Sequence, residues 1–150
     1  MQPSQSLATQ VSTLLGADTT TLAAATALKL HLAQAAFTPA LSLTVASFTE
    51  ATFTGYAALA AGATGTQTSY LDPATGNTFL EIKPPVGGWL FKTTSAAGLP
   101  QTIYGYYLTD STSATLYGSA LLSAPVILTL SGQGIEVPNA RFVFPPSPMS

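Results

Sequence analysis

The chain has 150 residues, 47% of them apolar and only 7% charged, with no cysteine and a formal net charge of −2. A typical domain carries about 25% charged residues, so the polar surface here must come from Thr, Ser, Gln and Asn. The composition excludes disulfides and thiolate metal sites. Four scattered basic residues, Lys29, Lys83, Lys92 and Arg141, exclude a patch for nucleic acid or for an anionic membrane surface.

The length predicts one domain with appended ends: an N-terminal helical arm over 1–17, a β-rich domain over 18–145 and an extended tail over 146–150. A surface so poor in charge resists association weakly, so much of it is expected to be covered by partners. The first ten residues, MQPSQSLATQ, lack the basic and apolar regions of a signal peptide. No run approaches the roughly 20 apolar residues of a spanning helix.

In chain order, 4–15 reads as a helix. Ser4 caps it, Gly16 stops it, and Leu7, Val11, Leu14 and Leu15 form one apolar face. An isolated helix this short is marginal in water, so it is expected either to pack on its own domain or to dock on a neighbour. Residues 18–27 mix Thr and Ala and favour neither helix nor strand. Leu28, Leu30 and Leu32 alternate with Lys29, His31 and Ala33, which predicts a strand with one wet face. A helical turn is expected over 47–53, with Phe48 and Phe53 pointing inward, and a thin strand over 56–61. Residues 70–79 read as a hairpin tip, begun by Asp72-Pro73 and closed by Gly76-Asn77. Strands follow over 78–83 and 89–91.

From Gln101 to Leu130 the pattern is a three-stranded meander. Its strands are predicted over 103–109, 115–122 and 126–130, with Asp110-Ser111-Thr112-Ser113 as the first turn. Strict alternation puts Tyr104 and Tyr106 on one face and Ile103 with Tyr107 on the other. Ser131 to Gly134 reads as a turn and 136–139 as irregular. Residues 141–144 alternate like a last strand. The fold class is therefore mainly β: an antiparallel sandwich or partly open barrel of about seven or eight strands with a short N-terminal helix.

Chemistry-bearing motifs are sparse. His31 is the sole histidine, and with no nucleophile elbow around any serine it is expected to be an exposed strand histidine. The six carboxylates, Asp18, Glu50, Asp72, Glu81, Asp110 and Glu136, are well separated in sequence and suggest no acid–base pair. Asp72 with Asn77 offers at most a thin calcium site. Gly62 to Gly65 lacks the lysine and helix of a phosphate loop. The tyrosines at 104, 106, 107 and 117 are expected to pack as a cross-strand ladder rather than to stack on sugars. No catalytic residue, cofactor or metal site is expected.

Three stretches carry a resemblance: FTEATFTGYAALAA (48–61), YLDPATGN (70–77) and LPQTIYGYYLTDSTSATLYGSALL (99–122). Together they resemble a family of small virion structural proteins of tailed bacteriophages. The resemblance implies a non-enzymatic capsid decoration or cement protein on the head surface. It implies partnership with the major capsid protein and with its own copies, commonly as trimers. The alternative is a tail-associated or fibre module that binds a receptor or glycan. By terminal position and apolar character, the expected contact residues are Leu7, Val11, Leu14, Leu15, Phe142, Phe144 and Pro145.

Overall fold

The computed structural model describes the backbone of residues 2–3, 67–71, 78–82 and 140–144, and backbone and side chains of 28–40, 42–60 and 88–137. Among these the chain is mainly β. Ten strands run in order: β1 (Gln2–Pro3), β2 (Lys29–Ala33), β3 (Leu59–Ala60), β4 (Gln67–Leu71), β5 (Thr78–Ile82), β6 (Trp89–Lys92), β7 (Gln101–Thr109), β8 (Leu116–Leu128), β9 (Gly134–Val137) and β10 (Ala140–Phe144). They form a five-stranded sheet in the order β1-β8-β7-β2-β3, a three-stranded sheet β10-β5-β4 and a two-stranded ribbon β6-β9. Every pairing is antiparallel.

The five-stranded sheet and the β6-β9 ribbon are the two layers of a sandwich. Between them lies the main core: Leu28, Leu30 and Leu32 of the β2 segment, Ile103 and Leu108 of β7, and Tyr117 and Leu128 of β8. Trp89 and Phe91 of β6, Ile135 and Val137 of β9, and Ala51 with Phe53 complete it. The ribbon alternates buried and exposed residues along both strands, as a strand with one face on a core must. Sheet β4-β5 is the expected hairpin, with Leu71 opposite Thr78; its tip, 72–77, lies outside the described residues.

The meander differs from its sequence reading. Residues 126–130 make no third pass, because β8 runs unbroken from Leu116 to Leu128. Pro125 sits in a bulge rather than a turn: the register with β7 steps from Gly105↔Leu121 to Ile103↔Val126, so four residues of β8 face Tyr104 alone. That bulge also overturns the alternation. Ile103 shares the main core with Tyr106 and Leu108, while Tyr107 faces the other way. A bulge shifts one strand's parity relative to its partner, and no local residue pattern announces it. The Asp110 turn forms as expected. The Asp110 carboxylate accepts from the Ala114 and Thr115 N–H groups at 2.8 and 3.1 Å and from the Thr112 hydroxyl at 2.7 Å.

Three further expectations are corrected or refined. The strand over 134–137 replaces an expected turn and irregular stretch. The helical turn is a single 3-10 turn, Val45–Ser47, earlier than expected, and Phe48 and Phe53 turn to opposite faces of the large sheet. The thin strand over 56–61 shrinks to Leu59–Ala60. The helix expected over 4–15 lies outside the described residues.

Candidate functional site

The wet face expected for β2 does not exist. His31 and Ala33 are buried, because the far side of the large sheet carries its own cover, a strap that comprises residues 34–40 and 42–50. Under it, Ala33, Tyr107 and Leu116 form a second apolar cluster, with Phe37, Leu43, Val45 and Phe48 packed on it from the strap. His31 and Tyr107 are direct cross-strand partners, and their rings stack at 4.8 Å with 10° between planes. Phe48 stacks on Tyr107 at 4.3 Å and meets Phe37 edge-on at 5.0 Å. Offset and edge-on pairs of this kind are the favoured aromatic geometries. Phe37 in turn lies over Gly105, where a Cβ would strike its ring and the Ala120 carbonyl.

Polar groups join this stack to the sheet edge. His31 Nδ1 lies 2.7 Å from Glu50 Oε1, and Nε2 lies 3.0 Å from Thr109 Oγ1. The Thr109 hydroxyl donates to the Asp110 carbonyl at 2.9 Å, so it faces His31 as an acceptor. Glu50 Oε1 also accepts from the Tyr56 hydroxyl at 2.7 Å. That hydroxyl in turn accepts from the backbone N–H of Leu32 at 3.1 Å.

The Tyr56 contact repairs a gap in the sheet. Residues 49–51 run along the open edge of β2: Gln34 N–H donates to Thr49 O, and Ala51 N–H donates to Leu32 O. The chain then leaves the edge and returns at β3, where Leu59 faces Leu30. Between these points the Leu32 N–H has no strand to pair with, and the Tyr56 hydroxyl takes the place of a backbone carbonyl. The excursion crosses to the other layer, where Thr94 N–H donates to Thr54 O at 2.9 Å. Gly55 permits it: its φ is +94°, and a Cβ there would meet Thr94 and the Lys92 carbonyl. The Tyr56 ring packs edge-on against Phe53 at 5.4 Å and lies 5.8 Å from Phe91, so one residue touches both layers.

Burial pushes the Tyr56 hydroxyl well above the ordinary tyrosine range. The bond from the Leu32 N–H opposes this, and the bond to Glu50 reinforces it. Burial also raises Tyr107, with the nearby Glu50 charge adding to the effect. Both hydroxyls therefore stay neutral, and Tyr56 serves as a donor rather than a nucleophile. Glu50 is 43% exposed on its side chain. It is the one member of the group that solvent reaches well.

His31, Glu50, Tyr56 and Thr109 come from four separated stretches, so no sequence motif could mark them. The one available signal is a polar residue inside the Leu28–Leu32 alternation, and alternation alone assigns it to the exposed face. The quartet spends its hydrogen bonds on its own members and on the backbone. Its work is to tie the strap, β2, β7 and the excursion together. Among the described residues no three His, Cys, Asp or Glu side chains gather as a metal site, and no helix is long and apolar enough to cross a membrane.

The other sequence candidates fall elsewhere. Leu7, Val11, Leu14, Leu15 and Pro145, together with Asp72 and Asn77, lie outside the described residues. The backbones of Phe142 and Phe144 belong to β10, opposite Leu80 and Thr78 of β5. Tyr107 and Tyr117 are buried, and Tyr106 is packed on the main core, but they form no cross-strand tyrosine ladder: Tyr106 faces Leu32 and Ala120, and Tyr107 faces His31 and Ser119. No family model, no curated protein and no solved structure matches this chain.

Proposed function

We propose that this chain is a virion structural protein, a decoration or cement module that binds the assembled head of a tailed bacteriophage and stabilises it. The observation that carries this reading is the resemblance over 48–61, 70–77 and 99–122. The first and last of these stretches also belong together physically. Phe48 stacks on Tyr107, and Glu50 and Tyr56 are linked through His31 to Thr109. The resembling residues thus supply much of the scaffold.

Low charge supports a lattice-binding role, because a surface of Thr, Ser and apolar groups can be covered without desolvating many ions. Binding to the assembled lattice would stabilise it by mass action, and many copies multiply a modest energy per site. The test is copy number per purified particle, measured by quantitative mass spectrometry against the major capsid protein. About one copy per capsid subunit is expected. A ratio of a few per cent would favour a tail or fibre module, and absence from the particle would end the virion reading. Bound protein should also change little between low and moderate salt, since few charges are available to be screened.

A further inference from the structure

We propose that the outer edge of β8 pairs with the same edge of a second copy, antiparallel about a two-fold axis at Ala124. No charged residue occurs between Asp110 and Glu136, so the whole of β8 lacks the charges that normally guard an exposed strand edge. Among the described residues, β1 covers that edge only at Gly118 and Ser119. This short pairing demonstrates that the edge accepts an added strand. Beyond it, Leu121 and Ile127 are 48% and 59% exposed. The bulge deprives Leu122, Ser123, Ala124 and Pro125 of individual partners on β7.

The sequence of this edge is self-complementary. Reading outward from Ala124, Ser123 faces Pro125, Leu122 faces Val126 and Leu121 faces Ile127. Small residues meet at the centre and large apolar ones at the flanks. In a two-fold antiparallel pair every residue faces its counterpart across the centre. The two exposed side chains, Leu121 and Ile127, would then cover each other across strands, on one face by parity. Leu122 and Val126, already packed on the main core, would extend that core across the junction. A strand of the same chain brings no charge to the contact, whereas most foreign edges would. Pro125 removes one donor per strand, which keeps the pairing short and stops it from recruiting further strands. β1 bounds it on the other side.

The pairing is a property of the purified protein and needs no capsid, so its failure and that of the virion role are separable. An isologous pair closes at two copies, while the phage resemblance implies trimers. Mass in solution distinguishes them. The absence of cysteine permits a register test. Opposed residues in an antiparallel pair have Cα atoms about 4.5–5.5 Å apart, within disulfide reach. A single Ala124→Cys substitution should therefore give a covalent dimer on mild oxidation. Ala120→Cys, away from the axis, should not. Leu121→Lys with Ile127→Lys should convert the dimer to monomer with an unchanged circular dichroism spectrum. A monomer at all micromolar concentrations, a trimer, or a dimer that fails to cross-link at Ala124→Cys would each overturn the proposal.

Discussion

The two faces of the five-stranded sheet are covered by different means. Toward the β6-β9 ribbon the cover is a second layer of strands, and the interface is almost wholly apolar. On the other face the cover is a strap of irregular chain. It is held by a file of rings, His31, Tyr107, Phe48 and Phe37, and by the Glu50, Tyr56 and Thr109 contacts. Apolar burial is non-directional, and a ribbon of alternating residues secures it over a broad area. An irregular strap has no such periodicity, so its position must be specified by directional contacts. One face is therefore held by area and the other by geometry.

Truncation at equivalent aromatic positions separates the two. Phe53→Ala, in the main core, should cost about 3–5 kcal/mol. Phe48→Ala, in the half-buried strap, should cost less, about 1–2 kcal/mol, from its ring contacts and partial burial. Urea titration of both variants checks this, and equal losses would erase the distinction between the faces. Gly105→Ala comes next. Its Cβ would press on the Ala120 backbone and on the Phe37 ring, so roughly 1–3 kcal/mol is expected from overpacking, with Phe37 displaced in its aromatic NMR signals.

Tyr56→Phe keeps the ring contacts but leaves the Leu32 N–H without its acceptor. A loss of about 1–2 kcal/mol is expected, and a neutral outcome would mean that the hydroxyl contributes nothing to the edge. The smallest effect belongs to the β7–β8 turn. Burial opposes ionisation of Asp110, but bonds from the Thr112 hydroxyl and the Thr115, Ala114 and Ser113 N–H groups outweigh it and hold the carboxyl below its ordinary value. A depressed carboxyl contributes stability above its unfolded value and loses it as pH falls through the folded one. Asp110→Ala should therefore cost about 1 kcal/mol near neutral pH. The difference from the parent should shrink on acidification below 3.8, the ordinary aspartate value.

The same contrast explains what could be read from the sequence. Strands β5, β6, β7 and β10 and the Asp110 turn were legible, because each follows from short-range chemistry: β-branched and aromatic runs, alternation, and a carboxylate placed to bond its own turn. β9 was missed because Gly134-Ile135-Glu136-Val137 is short and follows a turn. The sandwich partner of a strand is not written in that strand. The strap face was illegible for a deeper reason. His31 alternates with leucines as an exposed residue would, and its burial depends on Glu50, Thr109 and Phe48, all distant in sequence. The bulge at Tyr104 then moved Tyr107 away from Ile103, so face assignments beyond it inverted.

The Tyr56 hydroxyl at the Leu32 amide has a dynamic consequence. Leu32 lies on β2, next to the edge of the sheet, and its carbonyl is bonded to Ala51, yet its N–H is guarded by a side chain rather than by a ladder. A ladder amide in β2 exchanges with solvent only when the strands part. The Leu32 amide is freed by a swing of one tyrosine with residues 52–58, a local opening that leaves the core intact. The outer side of β2 thus carries a seam, a single buried amide whose exchange is set by a loop rather than by the parting of strands.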